Sequence, residues 1–489
     1  MINISDFVDV RALPNHMVIG AERIGANQRE LMVVEDPATG SPFAEIPAGT
    51  VEDVNDAVAT AKSALEKSWK SVTPQERGRI LSRTADIIRR DAERLACIET
   101  LDSGKPIREA KGDIETAAQY FEYYAGIADK LQGDTIPLGK DFISFTLHEP
   151  VGVTVHIIPW NFPLVTTARG VAPALAAGCT AVVKPAELTS LTAIILADIL
   201  MEAGLPTGVY NVVTGKGSEI GNALTSHKDV AHVTFTGSVI TGKTVMQSAA
   251  DNVASVTLEL GGKSPVVVLK DADMDAALEG TLKAIFMNAG QVCSAGSRLV
   301  IERAVHEQMV EKLVQRSEAF DIGHGLQDPS LGPLVSETQV NIVDTYVAGA
   351  RERGVEVATG GNRALVDGLE EGSFYQPTIL NNIPVDEIVA QEEIFGPVLA
   401  VQVVDSAEQA ISVANSTDFG LVAGIYTRDI TKAMHFARDV GAGQVFINQF
   451  FAGGVATPFG GVKNSGFGRE KGLAALASYY QVKCVTTRI

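Results

Sequence analysis

Residues 151–187 read VGVTVHIIPWNFPLVTTARGVAPALAAGCTAVVKPAE and alternate between two hydrophobic patterns. Val151 to Ile158 is a short β-rich run, and Thr180 to Val183 is a second one. Between them, Leu164 to Ala177 has the length and apolar content of a buried helix that ends at Gly178. A strand, a helix and a strand in this order are typical of a βαβ unit, in which both strands are buried and parallel.

The same alternation continues beyond this unit. A helix is predicted at Thr189 to Ala203, and further strands are predicted at Val209–Val213, Val230–Thr234 and Ser255–Leu260. A second series follows, with strand candidates at Val266–Leu269, Arg298–Ile301, Val398–Val404, Ala423–Thr427 and Gln444–Asn448. The predicted fold class is therefore α/β, with a Rossmann-type, doubly wound nucleotide domain and a second α/β domain.

Two β-prone segments lie outside both series. Residues 142–147 alternate loosely like a strand, and residues 481–489 are β-prone without a strand partner nearby in the sequence. Such a terminal strand is expected to complete a sheet elsewhere, with another subunit as a candidate partner. Residues 51–127, by contrast, are helix-rich.

Composition limits the classes of function. A chain of 489 residues, 46% hydrophobic and 20% charged, predicts a globular protein of two or three domains. A net charge of -19 argues against binding to nucleic acid or to an anionic membrane. No apolar run approaches the roughly 20 residues of a membrane span. Residues 1–10 show no secretory signal, and four irregularly spaced cysteines indicate neither a disulfide framework nor a metal site. These features predict a soluble, cytoplasmic protein.

One of the four cysteines differs from the others. Cys97, Cys179 and Cys484 lie in apolar or terminal surroundings, whereas Cys293 lies among small residues at the foot of an apparent helix. This position predicts an accessible thiol, and accessible thiols are usually avoided unless they are used. On its own, Cys293 fits a protease nucleophile, a redox sensor or a residue without chemistry.

Two polar residues stand where chemistry is possible. Asn161 lies between an aromatic residue and prolines, so it is either a rigid turn residue or an amide donor aimed at developing negative charge. Glu259 lies in an apolar strand end, where burial raises a carboxyl pKa towards that of a useful general base. A structural ion pair is the alternative interpretation of Glu259.

Three segments are candidates for binding a nucleotide. Gly237 and Ser238 lie between a predicted strand and a helix, where backbone N–H groups and the helix dipole favour a phosphate. Lys184 and Glu187 follow another predicted strand, at the end of the sheet where nucleotides bind. The pair Gly215-x-Gly217 is only a near miss of a dinucleotide fingerprint, and a strand-to-helix turn explains it equally well.

The order of seven motifs is more specific than any one of them, and it resembles the aldehyde dehydrogenase superfamily from about residue 35 to the C-terminus. The motifs are PWNFP (159–163), KPAE (184–187), FTGS (235–238), ELGGK (259–263), GQVC (290–293), EIFGP (393–397) and PFGGVKNSGFGRE (458–470). The resemblance implies that Cys293 attacks an aldehyde to give a thiohemiacetal, which loses hydride to become a thioester. It further implies that Asn161 and the Cys293 N–H hold the oxyanion, and that Glu259 activates the water that releases the acid.

The resemblance also implies NAD as the cofactor. The cofactor-binding residues carried over are Trp160, Lys184, Glu187, Gly237, Ser238, Glu393 and Phe395. Glu187 favours NAD because its carboxylate would repel the extra phosphate of NADP, although NADP is possible.

The family's architecture implies a nucleotide domain (1–127 and 151–259), a catalytic domain (260–450) and an oligomerisation arm with C-terminal segment (128–150 and 451–489). Such an arm implies a homodimer or a homotetramer.

The resemblance implies a small aldehyde as the substrate, whose identity the sequence leaves open. The residues carried over to the substrate site are Phe162, Arg169, Met287 and Phe451. Arg169 stands where many relatives carry Trp, so it either binds an acidic or hydroxylated end of the substrate or pairs with Glu470. With only two tryptophans in the chain, an aromatic cage for a quaternary ammonium such as betaine aldehyde is under-equipped.

Two other functions compete with this prediction. In a CoA-acylating aldehyde dehydrogenase CoA, and not water, accepts the acyl group; that class usually lacks the base predicted at Glu259. A catalytically silent relative would have kept the fold and lost the activity. The retention of Cys293, Glu259 and Asn161 together argues against it.

Overall fold

The computed structural model describes residues 4–489, which form twenty β-strands and fourteen α-helices. The strands are β1 (His16–Ile19), β2 (Glu22–Gly25), β3 (Leu31–Asp36), β4 (Ser41–Pro47), β5 (Thr135–Ile136), β6 (Phe142–Pro150), β7 (Val153–Ile157), β8 (Thr180–Lys184), β9 (Tyr210–Val212), β10 (Val230–Thr236), β11 (Ser255–Glu259), β12 (Pro265–Val268), β13 (Arg298–Glu302), β14 (Glu356–Thr359), β15 (Thr378–Asn381), β16 (Val398–Val404), β17 (Val422–Tyr426), β18 (Gln444–Ile447), β19 (Gly466–Phe467) and β20 (Tyr480–Arg488). The helices are α1 (Val51–Glu66), α2 (Pro74–Arg90), α3 (Ala92–Ser103), α4 (Ile107–Ala125), α5 (Pro163–Ala177), α6 (Leu191–Glu202), α7 (Gly217–Thr225), α8 (Val239–Ala249), α9 (Met274–Phe286), α10 (Arg303–Glu318), α11 (Glu337–Glu352), α12 (Ile388–Gln391), α13 (Ala407–Ala414) and α14 (Ile430–Asp439).

The first large sheet has the strand order β19-β11-β10-β7-β8-β9-β1-β2. Its five central strands are parallel, and antiparallel strands flank them on both sides. From β7 the chain runs through β8 and β9 in one direction, and it then returns to β10 and β11 on the other side of β7. The carboxyl ends of β7 and β10 therefore form a topological switch point, the place where open α/β sheets bind their ligands.

The second large sheet has the order β14-β15-β16-β13-β12-β17-β18, and all of its strand pairs are parallel except β14 with β15. Separate hydrophobic clusters cover the two faces of each sheet. The predicted domain boundary at residues 259/260 falls between β11 and β12, which belong to different sheets. The predicted C-terminal segment contributes β19 to the first sheet, where it pairs with β11.

A third sheet, β20-β6-β5, contains the C-terminal strand. The prediction that this strand completes a sheet elsewhere is confirmed, and distant residues of the same chain form that sheet. β20 pairs antiparallel with β6 of the same chain, from Tyr480 opposite Pro150 to Arg488 opposite Phe142. The two segments are more than 300 residues apart, so no local sequence pattern could reveal the pairing. Among residues 4–489, no strand pairs with the other edge of β20, the edge that faces away from β6.

Helix α5 shows why this sequence folds as predicted. Pro163 occupies its first turn, where the missing N–H costs nothing, and Gly178 ends it in a left-handed conformation with φ 98°. Every residue of the helix except Val165 is buried. An apolar helix of this kind can accept a charged residue only if a partner neutralises it, and Arg169 is the one charged residue on α5.

Across residues 4–489, no helix is both long enough and apolar enough to cross a membrane.

Candidate active site

A cleft of about 240 Å³ opens between the two large sheets. Loops that follow β7, β10 and β11 form one side, at the carboxyl ends of the first sheet. Loops that precede β12, β13 and β16 form the other side, at the amino ends of the second sheet. The lining residues are Pro159, Trp160, Asn161, Thr236, Gly237, Ser238, Glu259, Gly261, Cys293, Gln339, Ile342, Glu393, Ile394 and Phe395. One space thus brings together residues that lie up to 236 positions apart in the sequence.

Asn161 connects the two sides of the cleft. Its Nδ2 donates to the carbonyl oxygen of Gln291 at 2.9 Å, and its own carbonyl oxygen accepts from Asn288 Nδ2 at 3.2 Å. Gln291 is itself fixed, since its Oε1 accepts from the N–H of Val335 at 2.8 Å. The Asn161 amide is 4% exposed, and its second hydrogen is left for a group in the cleft. This geometry fits an amide donor more closely than a plain turn residue.

A buried lysine also donates to the carbonyl oxygen of Asn161. Lys105 Nζ donates to the Asn161 carbonyl oxygen at 2.9 Å and to Asp113 Oδ2 at 2.6 Å. It lies 3.7 Å from Glu99 Oε1 and 4.4 Å from the centre of the Phe162 ring. In the sequence, Lys105 stands between a glycine and a proline, and nothing there marks it as part of the site. Its contact with Asn161 spans 56 residues and depends on the tertiary fold.

Cys293 lies in the loop between α9 and β13, and it is partly exposed to the cleft. No helix begins at Cys293, because the next regular element is the strand β13. Burial raises the pKa of the thiol to about 12, although the nearby Arg169 charge acts to lower it. The resting residue is therefore a neutral thiol. The most accessible of the four thiols is Cys484, which is exposed on β20.

Glu259 ends β11, and its side chain is almost completely buried. Neither of its carboxylate oxygens has a hydrogen-bond partner among residues 4–489. Burial raises the pKa of this carboxyl well above its ordinary value, and the nearby Glu470 charge adds to the effect. Gly460 makes room for it: with φ 151°, this glycine would place an added Cβ 2.8 Å from Glu259 Oε1. A protonatable carboxyl without a fixed partner suits a base that acts on a transient ligand.

Arg169 forms the ion pair that was one of its two predicted interpretations. Its Nε contacts Glu470 Oε2, and both side chains are buried, at 10% and 3% exposure. Nη2 donates to Thr236 Oγ1 at 3.0 Å, and the guanidinium lies 5.5 Å from the centre of the Phe459 ring. Glu470 therefore neutralises Arg169, the one charged residue of α5.

The residues predicted to bind a nucleotide divide into two groups. Trp160, Gly237, Ser238, Glu393 and Phe395 line the cleft, and the rings of Trp160 and Phe395 meet edge to face at 5.2 Å. Lys184 and Glu187 do not line it. Lys184 ends β8, the neighbour of β7 in the sheet, and Glu187 follows that strand, with Lys184 Nζ 3.5 Å from Glu187 Oε2.

The residues predicted to bind substrate lie apart from the nucleotide side of the cleft. Phe162 and Phe451 pack against the hydrophobic cluster that also contacts Cys293. Met287 borders a separate, more open cavity with Arg108, Glu109 and Phe286.

Comparison with known proteins identifies the family. Residues 24–485 match the model of the aldehyde dehydrogenase family. An aldehyde dehydrogenase of Aspergillus niger is 42% identical over 478 residues, which cover 97% of this chain and 95% of that protein. A betaine aldehyde dehydrogenase of Bacillus subtilis is 42% identical over 473 residues, which cover 96% of both. The solved NAD+ complex of an aldehyde dehydrogenase from Bacillus cereus has a TM-score of 0.96 and 42% identity, covering 98% of each chain.

The chain belongs to the aldehyde dehydrogenase family. The family and the fold class predicted from the sequence are thereby confirmed.

Some features of this aldehyde dehydrogenase were not predicted. Gln339 and Ile342 of α11 line the cleft, yet nothing in their local sequence marks them. Gln339 Nε2 donates to the carbonyl oxygens of Ile394 and Phe395 and so fixes the loop before β16. Phe395 itself adopts a left-handed conformation, with φ 59°.

The buried position of Lys105 predicts a large effect on stability. Lys105→Met should lower the free energy of unfolding by about 3–5 kcal/mol, because it leaves the carboxylates of Asp113 and Glu99 buried without their cation. Lys111→Met is the matched control, since Lys111 on α4 forms an exposed ion pair with Glu93 on α3 and should matter little. Denaturant unfolding of both variants measures the difference. Equal unfolding midpoints for the two variants would show that the Lys105 cation does not stabilise the carboxylates of Asp113 and Glu99.

Proposed function

We propose that this protein oxidises an aldehyde to the carboxylic acid with NAD, through a thioester on Cys293. The observation that carries the proposal is the convergence in one cleft of a thiol, an unpaired buried carboxyl and a clamped amide, at Cys293, Glu259 and Asn161. Membership in the aldehyde dehydrogenase family supports the reaction class, and the NAD+ complex of the Bacillus cereus relative supports the cofactor.

Three observations support the binding of a dinucleotide in the cleft. Gly237 and Ser238 stand at the amino end of α8, where helix N–H groups and the helix dipole favour a phosphate. Glu393 Oε1 accepts from the N–H of Gly262 at 3.0 Å, and its other oxygen remains for a ribose hydroxyl. A Cβ on Gly261 would overlap the Glu393 carboxylate, so glycine keeps this position open. Bound NAD would supply the acceptor for the hydride that leaves the substrate carbon.

The ribose further from the reaction would meet Lys184 and Glu187. Lys184 Nζ also donates to the carbonyl oxygen of Pro185 at 3.0 Å, which orients it beside Glu187. The Glu187 side chain is 43% exposed, so its carboxylate is free to accept from ribose hydroxyls. A phosphate on that ribose would meet like charge, and this supports a preference for NAD over NADP.

The first chemical step uses Cys293 and Asn161. The thiol loses its proton to solvent water, and the thiolate sulfur attacks the carbonyl carbon of the aldehyde. The carbonyl oxygen then carries negative charge, which the free hydrogen of the Asn161 amide and the Cys293 N–H stabilise. Loss of one such donor typically lowers kcat by about 10²–10³. Since Lys105 and Asn288 hold the Asn161 carbonyl, this donor is in place before substrate binds.

The second step uses Glu259. After hydride has left, the carbonyl carbon is joined to Cys293 as a thioester. A water molecule attacks that carbon, its proton passes to the Glu259 carboxylate, and the Cys293 sulfur leaves with the electron pair of the C–S bond as a thiolate while the acid is released. The raised pKa of the buried Glu259 carboxyl gives it the affinity for a proton that this step needs.

The two alternative functions, a CoA-acylating enzyme and a catalytically silent relative, predict different roles for the residues of this cleft. In a CoA-acylating enzyme, CoA would take the place of water and Glu259 would have no function there. In a silent relative, the clamped amide at Asn161 would have no function either. An absorbance assay of NADH formation, with and without CoA, separates the three: the proposal requires NADH formation and no dependence on CoA.

Glu259→Gln should separate the two steps. We expect it to form NADH rapidly in the first turnover and then to turn over about 10²–10⁴ times more slowly, because release of the acid lacks its base. Stopped-flow absorbance measures both phases. The matched control is Glu311→Gln, an exposed residue of α10, which should keep the wild-type kcat. A Glu259→Gln enzyme with the wild-type kcat would contradict the assignment of the base.

The pKa of Cys293 predicts how activity depends on pH. Since burial raises that pKa to about 12, the thiolate fraction increases with pH throughout the neutral range. For an uncharged aldehyde, kcat/KM should therefore increase between about pH 6 and pH 9, by up to about tenfold per unit. Initial rates at limiting aldehyde test this. A plateau that begins below about pH 7 would show that another charge lowers the thiol pKa in the free enzyme.

We also propose a homodimer or homotetramer in the cytoplasm. The second edge of β20 is free among the described residues, and apolar side chains are exposed on the same sheet, including Phe142 at 43% and Val482 at 60%. Such an edge is normally covered. The four cysteines are unpaired, which fits a reducing compartment. The proposed domains remain 1–127 with 151–259, 260–450, and 128–150 with 451–489.

A further inference from the structure

The turn that precedes Cys293 has an unusual backbone, which the chemistry proposed above leaves unexplained. Asn288 and Ala289 adopt left-handed conformations with φ 49° and 52°, and Gly290 follows with φ 74°. A residue with a Cβ rarely adopts this conformation beside another, because its Cβ lies too close to the following carbonyl oxygen. Glycine tolerates the conformation, but at Asn288 and Ala289 the surrounding structure must hold the backbone in place.

A carboxylate from a distant part of the chain contacts this turn. The N–H of Asn288 donates to Glu109 Oε2 at 2.8 Å, across 179 positions of the sequence. Helix α9 does not supply the acceptor, because the carbonyl oxygen of Ala284, four residues before Asn288, accepts instead from the N–H of Gly296 at 2.9 Å. Glu109 therefore satisfies a backbone donor that the left-handed turn has removed from the helix.

Glu109 and Lys105 lie four residues apart at the amino end of α4, and both reach the active site. Lys105 Nζ donates to the Asn161 carbonyl oxygen at 2.9 Å, and Asn288 Nδ2 donates to the same oxygen at 3.2 Å. The four residues thus form a closed loop of contacts that starts and ends on one turn of the chain. Asn288 Nδ2 and Asn161 Nδ2 also donate to the Gln291 carbonyl oxygen, at 3.3 and 2.9 Å. The loop of contacts therefore fixes the backbone two residues before the catalytic thiol.

An ion pair is not the main contact of Glu109. Arg108 Nη2 lies 4.0 Å from Glu109 Oε1, at the limit of an ion pair. The same guanidinium donates to carbonyl oxygens of residues 328–330 and to the Asp328 carboxylate, at 2.6–3.1 Å. The short contact of Glu109 is the one with the N–H of Asn288.

We infer that Glu109 is a positioning residue for Cys293, because it holds residues 288–290 in the left-handed turn that brings the thiol to the Asn161 amide. The inference deepens the proposed function and rests on it, since the thiol must attack the aldehyde. Glu109 acts on the reaction through the backbone of the turn. A displaced turn would move the sulfur away from the donor that serves the same carbonyl group, and a misplacement of about 1 Å can lower a rate about 10²-fold.

Hydrogen exchange tests the contact and requires no activity. In Glu109→Ala enzyme, amide exchange in peptides that contain residues 288–290 should become at least about tenfold faster than in the wild type, because the N–H of Asn288 loses its acceptor. Glu109→Gln keeps an acceptor oxygen at the same reach, so exchange should stay close to the wild-type rate. Glu115→Ala is the matched control, since it removes an exposed carboxylate from the same helix. Unchanged exchange in Glu109→Ala would overturn the inference.

First-turnover NADH formation tests the consequence for catalysis. The aldehyde would be the best wild-type substrate among butanal, benzaldehyde and succinic semialdehyde. The rate per folded enzyme should fall about 10–10²-fold in Glu109→Ala, with KM for NAD changed by less than about twofold, because the nucleotide side is outside the loop of contacts. Glu109→Gln should restore most of the rate, and Glu115→Ala should keep the wild-type rate.

A second substitution separates the turn from a general structural effect. Ala289→Gly, added to Glu109→Ala, should recover part of the lost rate, because glycine adopts a positive φ without strain. A loss of rate that neither Glu109→Gln nor Ala289→Gly reduces would overturn the inference, and so would a wild-type rate in folded Glu109→Ala enzyme. If Glu109→Ala does not fold, Glu109→Asp, whose carboxylate is one methylene short, replaces it in both measurements. If the wild-type enzyme forms no NADH, the proposed function fails, and hydrogen exchange still decides whether Glu109 holds the turn.

Discussion

The hydrogen bond from Asn161 Nδ2 to the carbonyl oxygen of Gln291 joins the two halves of the active site. Asn161 extends from the carboxyl end of a strand in the first sheet, and Gln291 lies two residues before Cys293 in the loop that enters the second sheet. Lys105 and Asn288 fix the other end of Asn161 through its carbonyl oxygen. The thiol and the amide that must act on the same carbonyl group are thus set by one buried network. Catalysis by preorganised donors requires such fixed positions.

Burial has opposite consequences for the charged groups around that network. It is tolerated for Arg169 and Glu470 because they neutralise each other. For Cys293 and Glu259, burial instead raises the pKa of the thiol and of the carboxyl, because desolvation disfavours the charged form of each.

Much of the fold could be predicted from local patterns. Strand β16 has the predicted bounds, and α5 begins one residue before its predicted start and ends at the predicted glycine. The predicted residues Asn161, Glu259 and Cys293 do line one cleft, because each stands at the end of a strand or in a loop that joins the sheets. Contacts between distant segments could not be predicted. The Lys105–Asn161 bond, the pairing of β20 with β6 and the place of Met287 in a separate cavity depend on packing. Single-sequence periodicity carries no information about such packing.

The most direct test of the central claim is to observe the thioester itself. Glu259→Gln enzyme would be mixed with an aldehyde and NAD, quenched in acid and digested with trypsin, and the peptide Ala284–Arg298, whose only cysteine is Cys293, would be analysed by mass spectrometry. We expect this peptide to carry the mass of the acyl group on Cys293 when aldehyde and NAD are both present, and to lack it when either is omitted. An acyl group on the exposed Cys484, or NADH formation without any acylated Cys293, would contradict a thioester mechanism at this site.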